Sequence, residues 1–153
     1  MYLYLVQHAK ARGAELDFER TLTDTGIEEA IRLSGFLSLF AKPKIVRALH
    51  SGKVRARQTA EIFAERLGID EIAIDTELAP NSDPEAWVER LASYEENLLL
   101  VGHLPFLDRL ASHLLAGDSQ RHAVRFRNSG CLCLERSEDG WRLCWMLIPE
   151  LFG

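Results

Sequence analysis

Two histidines, His8 and His103, each close a short apolar run, Leu5-Val6-Gln7-His8 and Leu100-Val101-Gly102-His103. Imidazole can serve as nucleophile, general base or metal ligand near neutral pH. Between the two lies Ser51-Gly52-Lys53-Val54-Arg55-Ala56-Arg57-Gln58-Thr59, which crowds three cations into the start of a predicted helix. A helix N-terminus is already partly positive and has unpaired N–H groups, so each cation there costs ~0.3–1 kcal/mol. Arg57 has a partner one turn on, Glu61. Arg55 has none, because its i+3 and i+4 neighbours are Gln58 and Thr59. Cations gathered on a positive helix end are stable when an anion sits among them, and the planar fork of Arg55 suits a phosphoryl group.

These residues need elements that bring them together. A fully apolar run is how a buried parallel strand reads, and open α/β sheets place ligands beyond the carboxyl ends of such strands. Strands are predicted at residues 2–6, 45–49, 72–74 and 98–101. Thr25-Gly26-Ile27-Glu28 reads as a capping box opening a helix that runs toward Ala41 and stops at Lys42-Pro43. A second helix spans about Val54 to Leu67 and ends at Gly68. Asp83-Pro84 starts a third, with Trp87 and Leu91 one turn apart. Leu107, Leu110, Ala111 and Leu114 form the apolar stripe of a fourth, closed by Gly117. From Gly130 the pattern alternates, and Glu138-Asp139-Gly140 turns one such run into the next. The expected fold is therefore α/β. It is a three-layer sandwich with a mostly parallel central sheet, helices on both faces and a C-terminal antiparallel hairpin.

Composition bounds the function. The 153 residues are expected to form a single domain, 1–153, large enough to bury a core. A net charge of −5 argues against a nucleic-acid or anionic-membrane surface, so neither partner is expected. No run of ~18 apolar residues could span a membrane. The first residues, Met1-Tyr2-Leu3-Tyr4-Leu5-Val6, lack a basic leader segment and read as a strand rather than a signal peptide. Cys131, Cys133 and Cys144 cannot all pair, and the first two share one face of an extended run. They read as small core residues in a reducing cytoplasm, with a metal role as the minor reading.

Four segments in order resemble the histidine phosphatase superfamily. They are Val6 to Ala11, Arg20-Thr21-Leu22-Thr23-Asp24-Thr25-Gly26, Ser51 to Thr59, and Val101-Gly102-His103-Leu104-Pro105. Length and motif order are most similar to the small branch, the SixA-type phosphohistidine phosphatases, and the resemblance covers residues 2 to about 115. It implies a phosphoglycerate mutase-like fold. It implies His8 as a nucleophile that becomes phosphorylated, Arg55 as a clamp on the phosphoryl oxygens and His103 as a donor to the same oxygens. Gln7, Arg20, Ser51 and His50 are the further candidate phosphate- or substrate-binding residues. Glu77 is the candidate acid, because larger members carry a carboxylic acid in that region; Asp83 there is already explained as a helix cap. No cofactor or metal is expected, since arginine and imidazole cations replace it.

The chain departs from the family pattern at one position that matters. The family's first motif is Arg-His-Gly, and here it is Gln7-His8-Ala9. A charge-assisted bond contributes ~1.5–3 kcal/mol and a neutral one nearer ~1, so the glutamine should cost roughly tenfold in rate. Three readings follow. The leading one is a cytoplasmic phosphatase for a phosphohistidine-bearing signalling protein or a small phosphorylated molecule. The second is a phospho-ligand binding or regulatory module with decayed catalysis. The third is a zinc hydrolase using His8, His50 and His103, disfavoured because Arg55 would repel the metal.

Overall fold

A computed structural model describes all 153 residues. Its strands are β1 (Tyr2–Gln7), β2 (Arg47–His50), β3 (Glu71–Ile74), β4 (Leu98–Gly102), β5 (Cys131–Ser137) and β6 (Gly140–Leu147). The helices are α1 (Asp24–Phe36), α2 (Val54–Leu67), α3 (Pro84–Ser93) and α4 (Phe106–Ala116). All six strands form one sheet in the order β3-β2-β4-β1-β5-β6. β1, β2, β3 and β4 pair in parallel, and the β5–β6 hairpin adds antiparallel to β1. β4 therefore sits between β1 and β2, which places the ends that carry His8, Ser51 and His103 side by side.

Strand side chains alternate between the two faces, and each face has its own core. Tyr4, Val6, Ala48, Leu99, Val101 and Cys133 pack with Ala30, Leu33, Ala60 and Phe63 of α1 and α2. Leu3, Leu5, Leu49, Leu98 and Leu100 pack with Trp87, Leu91, Phe106 and Leu110 of α3 and α4. This is the expected three-layer arrangement. Cys131 and Cys133 are buried on the α1–α2 side, as their spacing indicates, and Cys144 is exposed.

Three boundaries differ from the sequence reading. α1 starts at Asp24, capped by Thr23, whose hydroxyl accepts from Gly26 N at 3.0 Å. The competing box at Thr25 loses because Thr23 is also tied to the first loop, its N–H donating to Lys10 O at 2.9 Å. Gly26 lies flat against that loop: a Cβ there would meet Lys10 O at 2.4 Å. Toward its end, α1 widens into a π turn over Leu37–Ala41, which stops at Lys42 in the left-handed region. β2 begins at Arg47 rather than residue 45, because its partners start at Leu98 and Glu71. α2 runs from Val54 to Leu67 with Gly68 as its left-handed cap, as expected. Asp83 caps α3, accepting from Glu85 N at 3.0 Å.

Candidate active site

His8 extends β1 by one ladder step, its N–H donating to Gly102 O of β4 at 3.0 Å. Its ring Nδ1 lies 2.7 Å from Ala9 O, an acceptor, so Nδ1 carries the hydrogen and Nε2 keeps the lone pair. The ring of His103 is 5.0 Å away between centroids, tilted by 49°. His103 is almost fully buried, and its Nε2 is 2.6 Å from Ser51 Oγ at the end of β2. With the serine hydroxyl donating to Nε2, His103 keeps its hydrogen on Nδ1, which has no protein partner. Ser51 thus orients the His103 ring.

Burial dominates the electrostatics. It pushes His8 down to about 4, with the Arg55 and Arg20 cations adding to it and the bond to Ala9 opposing it. His103 falls to about 3, first through burial and then through His8, Arg55, Lys53 and Arg20. Arg55 stands in the first turn of α2 and is itself pushed down by burial and by Arg20. Its Nε is buried without a partner. The charges acting on His8 are all positive. Arg20, Lys53 and Arg55 make no ion pair, whereas Arg57 pairs with Glu61 at 3.8 Å as its spacing indicates. The result is a half-buried, neutral imidazole facing unspent donors and unpaired cations.

Arg20 reaches this group from a strained backbone with φ 53, its N–H held by Asp17 O and its Nε by Arg12 O at 3.1 Å. Gln7 sits at the mouth of a cavity of about 140 Å³, shared with Lys10, Arg127 and Asn128. Its Oε1 is buried and unpartnered.

Two sequence candidates carry bonds of their own. His50 is buried, but its Nδ1 accepts from Gly52 N at 3.1 Å and closes the turn into α2. The charges that bear on it are Glu61 and Arg57. Glu77 lies in a short 3₁₀ turn, and its carboxylate takes a 3.0 Å bond from Arg90, which also holds Asp75 at 2.7 Å. Arg90 is seated over the Trp87 ring, 3.9 Å from its centroid. No three histidine, cysteine, aspartate or glutamate side chains converge closely enough to hold a metal, so His8, His50 and His103 are not a ligand cluster.

Sequence reasoning missed Asn128 and Thr59. Asn128 Nδ2 donates to His8 O at 2.8 Å, and Thr59 Oγ1 accepts from Ala9 N at 2.9 Å. Asn128 lies in the irregular stretch before the hairpin, and no spacing tells that it returns to β1. Thr59 does carry a signal, as a polar residue on the otherwise apolar face of α2.

The buried imidazoles make stability pH-dependent. Unfolded imidazoles protonate near ~6.5, whereas the folded rings do so at about 4 and about 3. Between these values the unfolded chain binds more protons, so stability should be level above pH ~7 and decline as the pH drops from ~6.5. Thermal melts between pH 8 and 5 test this, and a Tm that rises on acidification would contradict it.

The chain belongs to the histidine phosphatase superfamily (branch 1), whose family model matches residues 3–80. Membership supports a phosphatase activity. Among solved structures, the protein histidine phosphatase SixA complexed with tungstate is similar over 100% of both chains, at 25% identity and a TM-score of 0.87. A protein from Agrobacterium tumefaciens assigned as a phosphohistidine phosphatase SixA is 28% identical over 96% of this chain and 97% of its own, with a TM-score of 0.78. A mycobacterial glucosyl-3-phosphoglycerate phosphatase shares the fold at 16% identity, with a TM-score of 0.71 over 94% of this chain and 96% of its own. No curated protein matches the sequence significantly.

Proposed function

We propose that this protein is a metal-independent phosphohistidine phosphatase working through a covalent phosphohistidine on His8. The observation that carries this reading is the neutral His8 Nε2 set among Arg55, Arg20 and His103 with no carboxylate acting on it. A phosphoryl group supplies the missing negative charge. Nε2 attacks phosphorus as the bond to the leaving nitrogen breaks, and the leaving imidazole takes a proton from solvent water. Arg55 and the Nδ1–H of His103 hold the equatorial oxygens as charge builds on them. Water then attacks phosphorus and frees His8 and inorganic phosphate.

The leaving group follows from the missing acid. Glu77 Oε2 is engaged by Arg90, which favours a substrate whose leaving group needs little protonic help. A phosphoramidate nitrogen is basic enough to be protonated as it leaves, whereas the oxygen of an alkyl ester is not and would have to depart as an alkoxide. A protein-borne phosphohistidine on a cytoplasmic signalling domain fits this constraint. That SixA is described as a protein histidine phosphatase supports the same class. Incubation with a phosphohistidine protein and with an aryl phosphate, followed by a search for an acid-labile label on His8, tests the proposal. Anion binding without turnover or label would favour the binding-module reading that Gln7 raises.

Gln7→Arg should increase turnover of an aryl phosphate about tenfold, by turning a neutral bond into a charge-assisted one. Steady-state kinetics on the variant checks this. An unchanged or lower rate would mean that the glutamine is matched to the natural substrate.

A further inference from the structure

His8 and Arg55 must hold a fixed separation, yet β1, which carries His8, and β2, which leads into the helix of Arg55, do not pair, because β4 lies between them. The peptide bond between His8 and Ala9 is gripped from two sides. Its N–H donates to Thr59 Oγ1 at 2.9 Å, and its carbonyl accepts from Asn128 Nδ2 at 2.8 Å. Thr59 is wholly buried on α2, one turn after Arg55, and its hydroxyl donates to Arg55 O at 2.7 Å. Asn128 comes from the opposite direction, the segment before β5, where Ser129 N also donates to Gln7 O at 3.0 Å. Ala9 has no exposed surface, and its own carbonyl receives Nδ1–H of His8. That carbonyl belongs to the next peptide, so a displacement of Ala9 shifts the acceptor of the His8 ring as well as the backbone.

We infer that Thr59 and Asn128 form a two-sided clamp on the His8–Ala9 peptide, positioning residues that hold Nε2 of His8 in register with Arg55. The inference rests on the reading of His8 as nucleophile. Thr59 is the half that spans the gap between β1 and α2, since one hydroxyl bonds the nucleophile's peptide and the backbone of the arginine clamp. The neighbouring Gln58 does the same for the Arg20 arm, its Oε1 accepting from Leu22 N at 2.9 Å. Misplacement by about 1 Å can cost on the order of 100-fold in a group-transfer step without much change in binding.

The test uses Thr59→Val, Asn128→Ala and the rescue variant Thr59→Ser on the full chain, with an aryl phosphate as substrate. Thr59→Val and Asn128→Ala should each lower kcat on the order of 10- to 100-fold while KM stays within about threefold. Thr59→Ser should remain within about threefold of the parent. The double variant should fall short of the product of the single losses, because both groups hold one peptide. A second readout needs no turnover: the NMR titration of the His8 ring, which faces Arg55, Arg20 and His103. In the parent it should occur at about 4, and release of the clamp should move it up toward ~6.5 as water reaches the ring. Folded variants with parental kcat and an unmoved titration would overturn the clamp, whatever their melting temperature. If Thr59→Val does not fold, Asn128→Ala carries both readouts. A parent without turnover would defeat the proposed function, and the titration would still judge the clamp.

Discussion

Replacing His8 by alanine should abolish turnover, lowering kcat by at least about 10⁴-fold, and should remove any phosphoryl label from the protein. The loss is large because His8 supplies the bond-forming atom rather than a share of charge stabilisation. His103 cannot substitute for it. Its ring is nearly fully buried and its Nε2 is taken up by the bond to Ser51. Anion binding should survive, since Arg55, Arg20 and His103 remain and a neutral ring contributes little attraction. Phosphate binding by calorimetry, set beside single-turnover labelling, separates the two effects. A variant that keeps full turnover would remove His8 from the nucleophile's role.

Arg55→Ala should lower kcat/KM by 10²- to 10⁴-fold and weaken phosphate binding, as expected for loss of a preorganised cation on the transferring group. Arg55→Lys should recover only part of this, because an ammonium lacks the planar fork. Stability should move the other way. Arg55 stands on a positive helix end, lies beside Arg20 and has no carboxylate partner. Its removal relieves an unfavourable term of ~0.3–1 kcal/mol and should leave Tm unchanged or slightly higher. Kinetics and thermal melts on one preparation check both halves. A strongly destabilised Arg55→Ala protein would show that the arginine is structural.

Much of this was legible in local chemistry. Apolar runs ending at His8 and His103, and a helix beginning in cations, follow from backbone periodicity and the helix dipole, which act over a few residues. Gly68, Gly117 and Asp83-Pro84 mark helix ends for the same reason. The errors came where a distant partner outweighed a local preference. Thr23 rather than Thr25 caps α1 because Lys10 draws the chain in, and β2 starts where β4 offers a partner. For His50 and Glu77 the structure adds local bonds that spacing does not announce, His50 Nδ1 accepting from Gly52 N and Glu77 Oε2 from Arg90.

The kind of site was thus written in residue type and spacing, namely two strand-end imidazoles and an unpaired arginine awaiting an anion. Its working geometry depends on packing between segments far apart in the chain. The insertion of β4 between β1 and β2 sets His103 beside His8. Ser51 orients the ring of His103, and Thr59 and Asn128 hold the peptide behind His8. Hydrogen bonds spanning 50 to 120 residues leave no periodic trace, because each needs only one polar atom that folding happens to bring within reach.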